Sequence, residues 1–410
     1  MKFSKVSQLL LVSSIGLLVA TFFSACAITT IDFVYVACSA GSGTSSAGEI
    51  QAYAVDSQSG ALRTGAPTVA SGGVNPISMA VTSDYANLYV ANAGNRSIAH
   101  FAIGLTGVLT SKDTITISGT PVSIAVNEAN TYLYVLSGPA PAVLAAYPLT
   151  SGTIGSAASS KTLSLYGTYA AYSGDVLVPT GLSVLANNAA VYVTAYDQSA
   201  YNPGGTTTCT SNCANPGWVF GYTVGSGGVL TALANPFEAG VKPTAITTDP
   251  TNRFAYVTDY AQGQLIGYAI MSSSTLNFLP GGPYRTGNEP SAIVIDPRGK
   301  FIYVTNSLDS TVSPYEIDLT TGAPSITVNS TSTGGSNSTD TQPVAVAIDP
   351  ALGRFVYTAN FLGNSVSGFR LDSTSGALSQ TQSTPYPTGY KPAAVIGIPH
   401  GNYSTQAVAP

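Results

Sequence analysis

Charge is scarce in this chain. Only 8% of its 410 residues are Asp, Glu, Lys or Arg, and the 14 basic residues are outnumbered by 19 acidic ones. Lys and Arg form no cluster, which excludes nucleic acid as a partner, because phosphate recognition needs convergent cations. Histidine is nearly missing, with His100 and His400 alone, so a zinc site would lack ligands and general bases are few. His100 sits in an alternating strand beside Phe101 and is expected to pack or lie at an edge; His400 falls in the tail. Of the four cysteines, Cys209 and Cys213 stand close together in C-T-S-N-C, within a loop rich in Gly, Pro and Thr. A small local disulfide is expected there, in an oxidising compartment, with Cys38 left as an unpaired thiol. Past residue 25 no run reaches the roughly 18 uninterrupted apolar residues of a membrane span.

The first 25 residues form a separate unit. Lys2 and Lys5 precede the apolar run from Leu9 to Ala20, and small residues follow at Ser24-Ala25-Cys26-Ala27. A basic stretch, an apolar stretch and a small-residue cleavage site together make an export signal, to be excluded from the fold. Phe23-Ser24-Ala25-Cys26 resembles a bacterial lipobox, which implies lipidation of Cys26 and membrane anchorage at the cell envelope. Soluble secretion after Ala27 is the alternative. Two of the basic residues belong to this leader, so the remainder is more acidic than the overall net charge of −5.

What the chain does have is a repeat. Ser291 to Asn306 reads as two strands, Ala292 to Ile295 and Phe301 to Thr305, rich in β-branched and aromatic residues. Asp296-Pro297-Arg298-Gly299 between them has turn chemistry. Tyr-Val or a close variant recurs at Tyr35, Tyr89, Tyr134, Tyr192, Tyr256, Tyr303 and Tyr357. Each recurrence is followed by a polar loop, an alternating strand, a Gly turn and a weaker strand. A Pro-led strand starts at Pro76, Pro121, Pro179, Pro243, Pro290, Pro343 and Pro392. Self-similarity at about 50 residues with four strands per unit predicts an all-β, seven-bladed β-propeller with four-stranded antiparallel blades. The chain begins on a Tyr-Val strand and ends on a Pro-led strand, so Ala393 to Ile398 should complete the blade begun at Phe33 and close the ring. The expected boundaries are a signal at 1–25, a linker at 26–31, the propeller at 32–398 and a tail at 399–410.

The motif P-x-A-[VI]-x-I-D-P-x-G-[RK]-x-[VI]-Y-V-T-N, with T-G-x-L after it, resembles the lactonase family of seven-bladed propellers with YVTN-type repeats, from about Asp32 to Ile398. The resemblance implies kinship with 6-phosphogluconolactonases and muconate-cyclising enzymes. It implies a lactone, in particular a sugar lactone, as substrate.

If the Pro-led strands are innermost, the loops before each Pro and after each Tyr-Val strand share one face around the axis, the default place for a ligand. The strand-end positions are Cys38, Asn92, Ser137, Ala195, Asp259, Asn306 and Asn360, with Arg96, Tyr196, Asp197, Tyr260, Asp309 and Asn364 nearby. The loops before Pro add Asn75, Lys242, Glu289 and Lys391. Asn92, Tyr196, Asp197, Asp259, Tyr260, Asn306 and Asn360 are the candidate ligand contacts, although Asn and Asp at strand ends also make Asx turns. For lactone hydrolysis Glu289 is the candidate base, with Lys391, Lys242 or Arg96 as the electrophilic group. Asp259, Glu289, Asn306 and Asn360 could instead cage calcium through oxygen ligands. So few cations suit a phosphorylated sugar badly. A non-catalytic envelope propeller, binding a glycan or a protein, is the second reading, and a monomer is expected.

Three segments exceed a minimal propeller. Asp197 to Gly217 inserts into the fourth blade on the candidate face, and with Tyr201 and Trp218 is expected to form a lid or recognition surface. Thr331 to Thr341 reads as a flexible polar loop, and Ser156 to Asp175, with Tyr166, Tyr169 and Tyr172, as an outward extension that packs.

Overall fold

A computed structural model describes residues 29–41, 47–198, 217–327 and 335–401. Cys26, Tyr201, Cys209 and Cys213 lie outside these residues.

The strand Phe301–Asn306 shows why the chain folds as it does. All six of its residues are buried. Phe301 and Tyr303 enter the apolar cluster shared with the following blade, while Ile302 and Val304 enter the one shared with the preceding blade. A strand apolar on both faces needs a sheet on each side. It pairs antiparallel with Pro290–Ile295 and with Thr311–Ile317, and Pro324–Ile326 completes the four.

This four-strand order occurs seven times. From blade 1 to blade 7 the innermost strands are Pro392–Pro399, Pro76–Val81, Thr120–Val126, Leu177–Val184, Pro243–Thr248, Pro290–Ile295 and Pro343–Ile348. The second strands are Thr30–Cys38, Asn87–Asn92, Tyr132–Gly138, Ala190–Asp197, Phe254–Asp259, Phe301–Asn306 and Phe355–Asn360. Each innermost strand packs against the innermost strands of both neighbours, closing a ring around an axis. The C-terminal strand supplies the innermost member of blade 1, pairing from Phe33 with Ile398 to Cys38 with Pro392. The core has no single centre. Each of seven apolar clusters fills the wedge between two adjacent blades.

Two details depart from the sequence reading. The innermost strands of blades 3 and 4 start ahead of their prolines. Six blades also carry a short extra strand against the third strand, as where Asn337–Ser338 returns to Thr311–Ile317. The later part of the loop expected to be flexible, Asn337 to Thr341, is therefore held: Asp340 accepts hydrogen bonds from Ser365 Oγ at 2.7 Å and Thr341 N at 2.7 Å. The extension before blade 4 packs as expected. Its Ser159–Thr162 pairs with the third strand of blade 3, and beyond it Tyr169 meets Trp218 edge-on at 4.5 Å and Tyr166 lies 6.3 Å from Phe220.

The repeated tyrosine ties blade to blade. Tyr303 is fully buried and its hydroxyl donates to Gly376 O, in the outer turn of blade 7, at 3.0 Å. Tyr35, Tyr89, Tyr192, Tyr256 and Tyr357 reach Gly107, Gly152, Ser274, Gly322 and Gly60 of their next blades in the same way. The turn must admit the ring of the residue two positions before the tyrosine. A Cβ on Gly376 would lie 2.3 Å from Phe301 Cδ1, and its φ of 71° also favours glycine. Tyr134 is the exception: its buried hydroxyl meets no acceptor. Accordingly, Tyr303→Phe should cost about 1–3 kcal/mol, since it strands a buried carbonyl. Tyr134→Phe should be close to neutral, and urea melts of the two variants check the pair.

Ring closure buries an acid. Asp32 is fully enclosed at the junction of blades 1 and 7, where its carboxyl meets the Asp349 carboxyl and the backbone of Ala351. Asp349 also accepts from the backbone N–H groups of Leu352 and Arg354. Burial first, and the charge of Asp349 second, push Asp32 up to about 10. Tyr85 and Tyr357 also feel both carboxyls. A carboxyl that holds its proton when folded and loses it when unfolded contributes stability at low pH that drains away as pH rises through its folded pKa. Wild-type stability should therefore fall between about pH 4 and pH 10, and Asp32→Asn should flatten that slope in melts across the range.

Candidate functional site

Every blade presents the same geometry at one end. The first proline of the innermost strand lies opposite the end of the second strand, as Pro290 does Asn306 and Pro243 does Asp259, or opposite Ser137 and Ala195, one and two residues short of that end, in blades 3 and 4, and the register slips just beyond. This slip occurs in all seven blades. A bulge there turns the residue after proline out of the ladder. Two of these residues link neighbours: Thr244 Oγ1 donates to Pro290 O and Ser291 Oγ to Pro343 O, both at 2.7 Å.

The strand-end amides and carboxylate serve their own blades. Asn92, Asp259, Asn306 and Asn360 are all fully buried. Asn92 accepts from Ser71 Oγ at 2.9 Å, and Asn360 donates to Ser365 Oγ and Ser367 Oγ at 3.0 and 2.9 Å. Asp259 accepts from Val241 N and Lys242 N at 3.0 Å, and Asn306 from Gly287 N at 3.1 Å. Asn92, Asp259 and Asn306 thus hold the loop that leads into their own innermost strand, the Asx role open to such residues at strand ends, while Asn360 ties the second strand of its blade to the third. Asp309 and Asn364 brace the same loops through Asn288 N and Lys391 N. Cys38, at the equivalent place in blade 1, is a free, fully buried cysteine whose thiol is pushed up to about 12 by burial, with the nearby Glu49 adding to it.

The residues just before the prolines are arranged differently. Glu289, Lys391, Asn75 and Gln342 have φ between 49° and 59°, a left-handed conformation uncommon for such side chains. Their backbones are pinned by the next loop, as where Ser307 N donates to Glu289 O at 2.9 Å. Partly exposed side chains are left around the axial mouth. Ser307 Oγ also reaches Glu289 Oε2 at 3.3 Å.

Lys242 brings three blades together. Its Nζ lies 4.2 Å from the centroid of the Tyr260 ring and 5.7 Å from that of Tyr196 in blade 4. Burial holds its pKa below the ordinary lysine range, while the charge of Glu289, in blade 6, works the other way. Ring faces and a carboxylate both favour the ammonium. Lys391 Nζ is likewise 5.2 Å from the rings of Phe361 and Tyr390. Asp197 ends the second strand of blade 4, buried, beside Asp175, whose pKa is raised by burial and then by Asp197. Arg96 stands apart from this group, in a crevice between blades 2 and 3. His100 is enclosed in blade 2 between Asp113 at 2.5 Å and Asn87 at 2.9 Å. Among the described residues no cluster of three or more His, Cys, Asp or Glu could hold a metal ion.

Gln342, Phe361 and Tyr390 escaped the sequence reading. The position before each innermost proline would have flagged Gln342, but the aromatics join the mouth only through the angle between blades.

By fold and site the chain is a seven-bladed propeller with cations seated on aromatic rings at one end of its axis. Within that class its likeness is to the lactonases. The family described as "Lactonase, 7-bladed beta-propeller" matches residues 267–395, from the third strand of blade 5 to the closing strand. A provisional 6-phosphogluconolactonase of Bacteroides uniformis superposes with a TM-score of 0.72 at 16% identity, covering 90% of this chain and 100% of that one. The periplasmic gluconolactonase of Pseudomonas aeruginosa gives 0.72 at 17%, covering 90% and 99%. Hydrazine synthase of Kuenenia stuttgartiensis gives 0.56 at 18%, covering 82% and 94%. At these identities the likeness is one of fold, and the third shows the fold in a protein named for different chemistry. No curated protein matches the sequence.

Proposed function

We propose that this protein is an exported lactone hydrolase working at the axial mouth of blades 4 to 6. The observation that carries the reading is the Lys242 ammonium, held on Tyr260 and Tyr196 with Glu289 within electrostatic reach. An acid and a base of this kind match what opening a lactone needs. Glu289 takes a proton from water, the hydroxide adds to the carbonyl carbon, and Lys242 stabilises the oxygen as it becomes negative. When the intermediate collapses, the ring C–O bond breaks and the alkoxide takes a proton from Lys242 or from the protonated Glu289. Water and lactone become one hydroxy acid. The family match and the gluconolactonase neighbour support the reaction class. A mouth with two isolated lysines suits an uncharged lactone better than a phosphorylated one.

Glu289→Gln should lower kcat at least 100-fold on sugar and acyl lactones with the melting transition unchanged, assayed with and without calcium. In the wild type, kcat/KM should fall on the alkaline side below the ordinary lysine range, because Lys242 must stay protonated. Undiminished turnover in Glu289→Gln would remove it from the mechanism. The four rings at the mouth, Tyr196, Tyr260, Phe361 and Tyr390, favour a second reading, a non-catalytic propeller that stacks a glycan on them. Absence of turnover on every lactone by folded protein would favour that one.

We further propose that the leader directs export and that Cys26 carries the lipid anchor of a monomeric protein; the periplasmic location of the Pseudomonas relative supports export. Cells fed a labelled fatty acid should yield labelled wild-type protein and unlabelled Cys26→Ser. Label in both, or in neither, would dismiss the anchor.

A further inference from the structure

On the same face, away from the axial mouth, the boundary of blades 2 and 3 encloses a crevice of about 250 Å³. Its lining includes Arg96, Ser118, Gly119, Thr120, Ser137 and Gly138. Among the described residues no carboxylate borders it. Three hydroxyls and one guanidinium make up its polar side chains, while prolines and valine supply the rest of the wall.

Arg96 breaks the pattern of the repeat. It occupies the turn between the second and third strands with a φ of 53°, in the place that Gly263, Ser310 and Asn364 fill in blades 5, 6 and 7, also at positive φ. Glycine and small polar residues suit that conformation, and a long cation has no conformational advantage there. The guanidinium is also uncommitted as an ion. Among the described residues Arg298 pairs with Asp296 and His100 contacts Asp113, while Arg96 Nη1 makes one long contact, 3.5 Å, to Ser118 O. At the floor, Gly119 leaves room beside the Ser137 hydroxyl, since a Cβ on residue 119 would lie 2.7 Å from Ser137 Oγ, which makes one long contact, 3.5 Å, to Val143 O. A local rule broken with no structural gain marks a functional position.

We propose that this crevice binds a small hydroxycarboxylate, the carboxylate paired with Arg96 and the hydroxyls of the ligand met by Ser118, Thr120 and Ser137. The planar guanidinium suits a carboxylate in a two-point contact. One cation without a second beside it matches a monoanion better than a phosphate dianion. A volume just below the usual range of small-ligand sites limits the occupant to a short chain. A hydroxy acid is also what lactone opening yields. That link to turnover rests on the proposed hydrolase; the binding itself does not.

The test is calorimetric titration of the mature chain, signal removed, with gluconate and with inorganic phosphate. Gluconate should bind saturably, more tightly than phosphate, and more weakly as salt is raised. Arg96→Asn, which keeps a residue tolerant of the left-handed turn, should weaken binding at least tenfold. A second readout on the wild type is protection of Arg96 from phenylglyoxal by gluconate, scored by peptide mapping. Absence of gluconate binding, equal binding by Arg96→Asn, or an unprotected Arg96 would overturn the site. Tighter binding of phosphate would overturn the carboxylate assignment. Gluconate binding with no lactone turnover would leave this site standing and dismiss the hydrolase.

Discussion

The ring depends on a single contact repeated around it: a buried tyrosine hydroxyl donating to a turn carbonyl of the next blade. A blade's own ladder satisfies its backbone but says nothing about where its neighbour lies. The apolar wedges between blades supply attraction without direction. The hydroxyl adds direction, because only one blade angle brings it to an acceptor. At the step from blade 3 to blade 4 the bond is missing, and the Tyr134 hydroxyl has no acceptor. There the turn is the Gly-rich stretch around Ser226–Gly228, with the Tyr132 ring against Gly228. Aromatic packing of Tyr169 on Trp218 supports blade 4 from the blade 3 side. This step carries the fourth-blade insertion one strand later.

The same economy of charge shapes the chemistry. Most of the acids are used by the scaffold. Asp249, Asp296 and Asp349, in the turns after three innermost strands, each accept from backbone N–H groups a few residues on. Asp259 holds the loop into its own blade. What the repeat does not use is a short set of residues on one face: Lys242, Glu289, Lys391 and Arg96. They occupy positions where other blades place smaller or uncharged residues, such as Asn75, Gln342 and Gly263. The repeat thus acts as an internal standard, and departures from it point to function better than the repeat itself does.

Ring closure shows the cost of joining ends. In blades 5, 6 and 7 the position three before the repeated tyrosine is Arg253, Lys300 or Arg354, at the mouth of a turn. Blade 1 has Asp32 there, enclosed against Asp349 of blade 7.

Blade number, strand order and closure were legible in the sequence because they follow from local rules. A strand apolar on both faces must lie inside a stack, Pro and Gly mark the turns, and a chain that starts on a second strand and ends on an innermost one has one way to finish its ring. The face bearing the site was legible for the same reason, since antiparallel pairing puts the pre-proline loop beside the end of the second strand. Tertiary structure alone decided which side chains on that face are available. Asn92, Asp259, Asn306 and Asn360 resemble ligand contacts in the sequence, and only burial and hydrogen bonding reveal that they brace their own blades. Lys242 meets Tyr196 from one blade and the field of Glu289 from another, and Asp32 meets Asp349 across the closure. Those distances are set by the angle between blades, a property of the whole ring that no stretch of residues encodes locally.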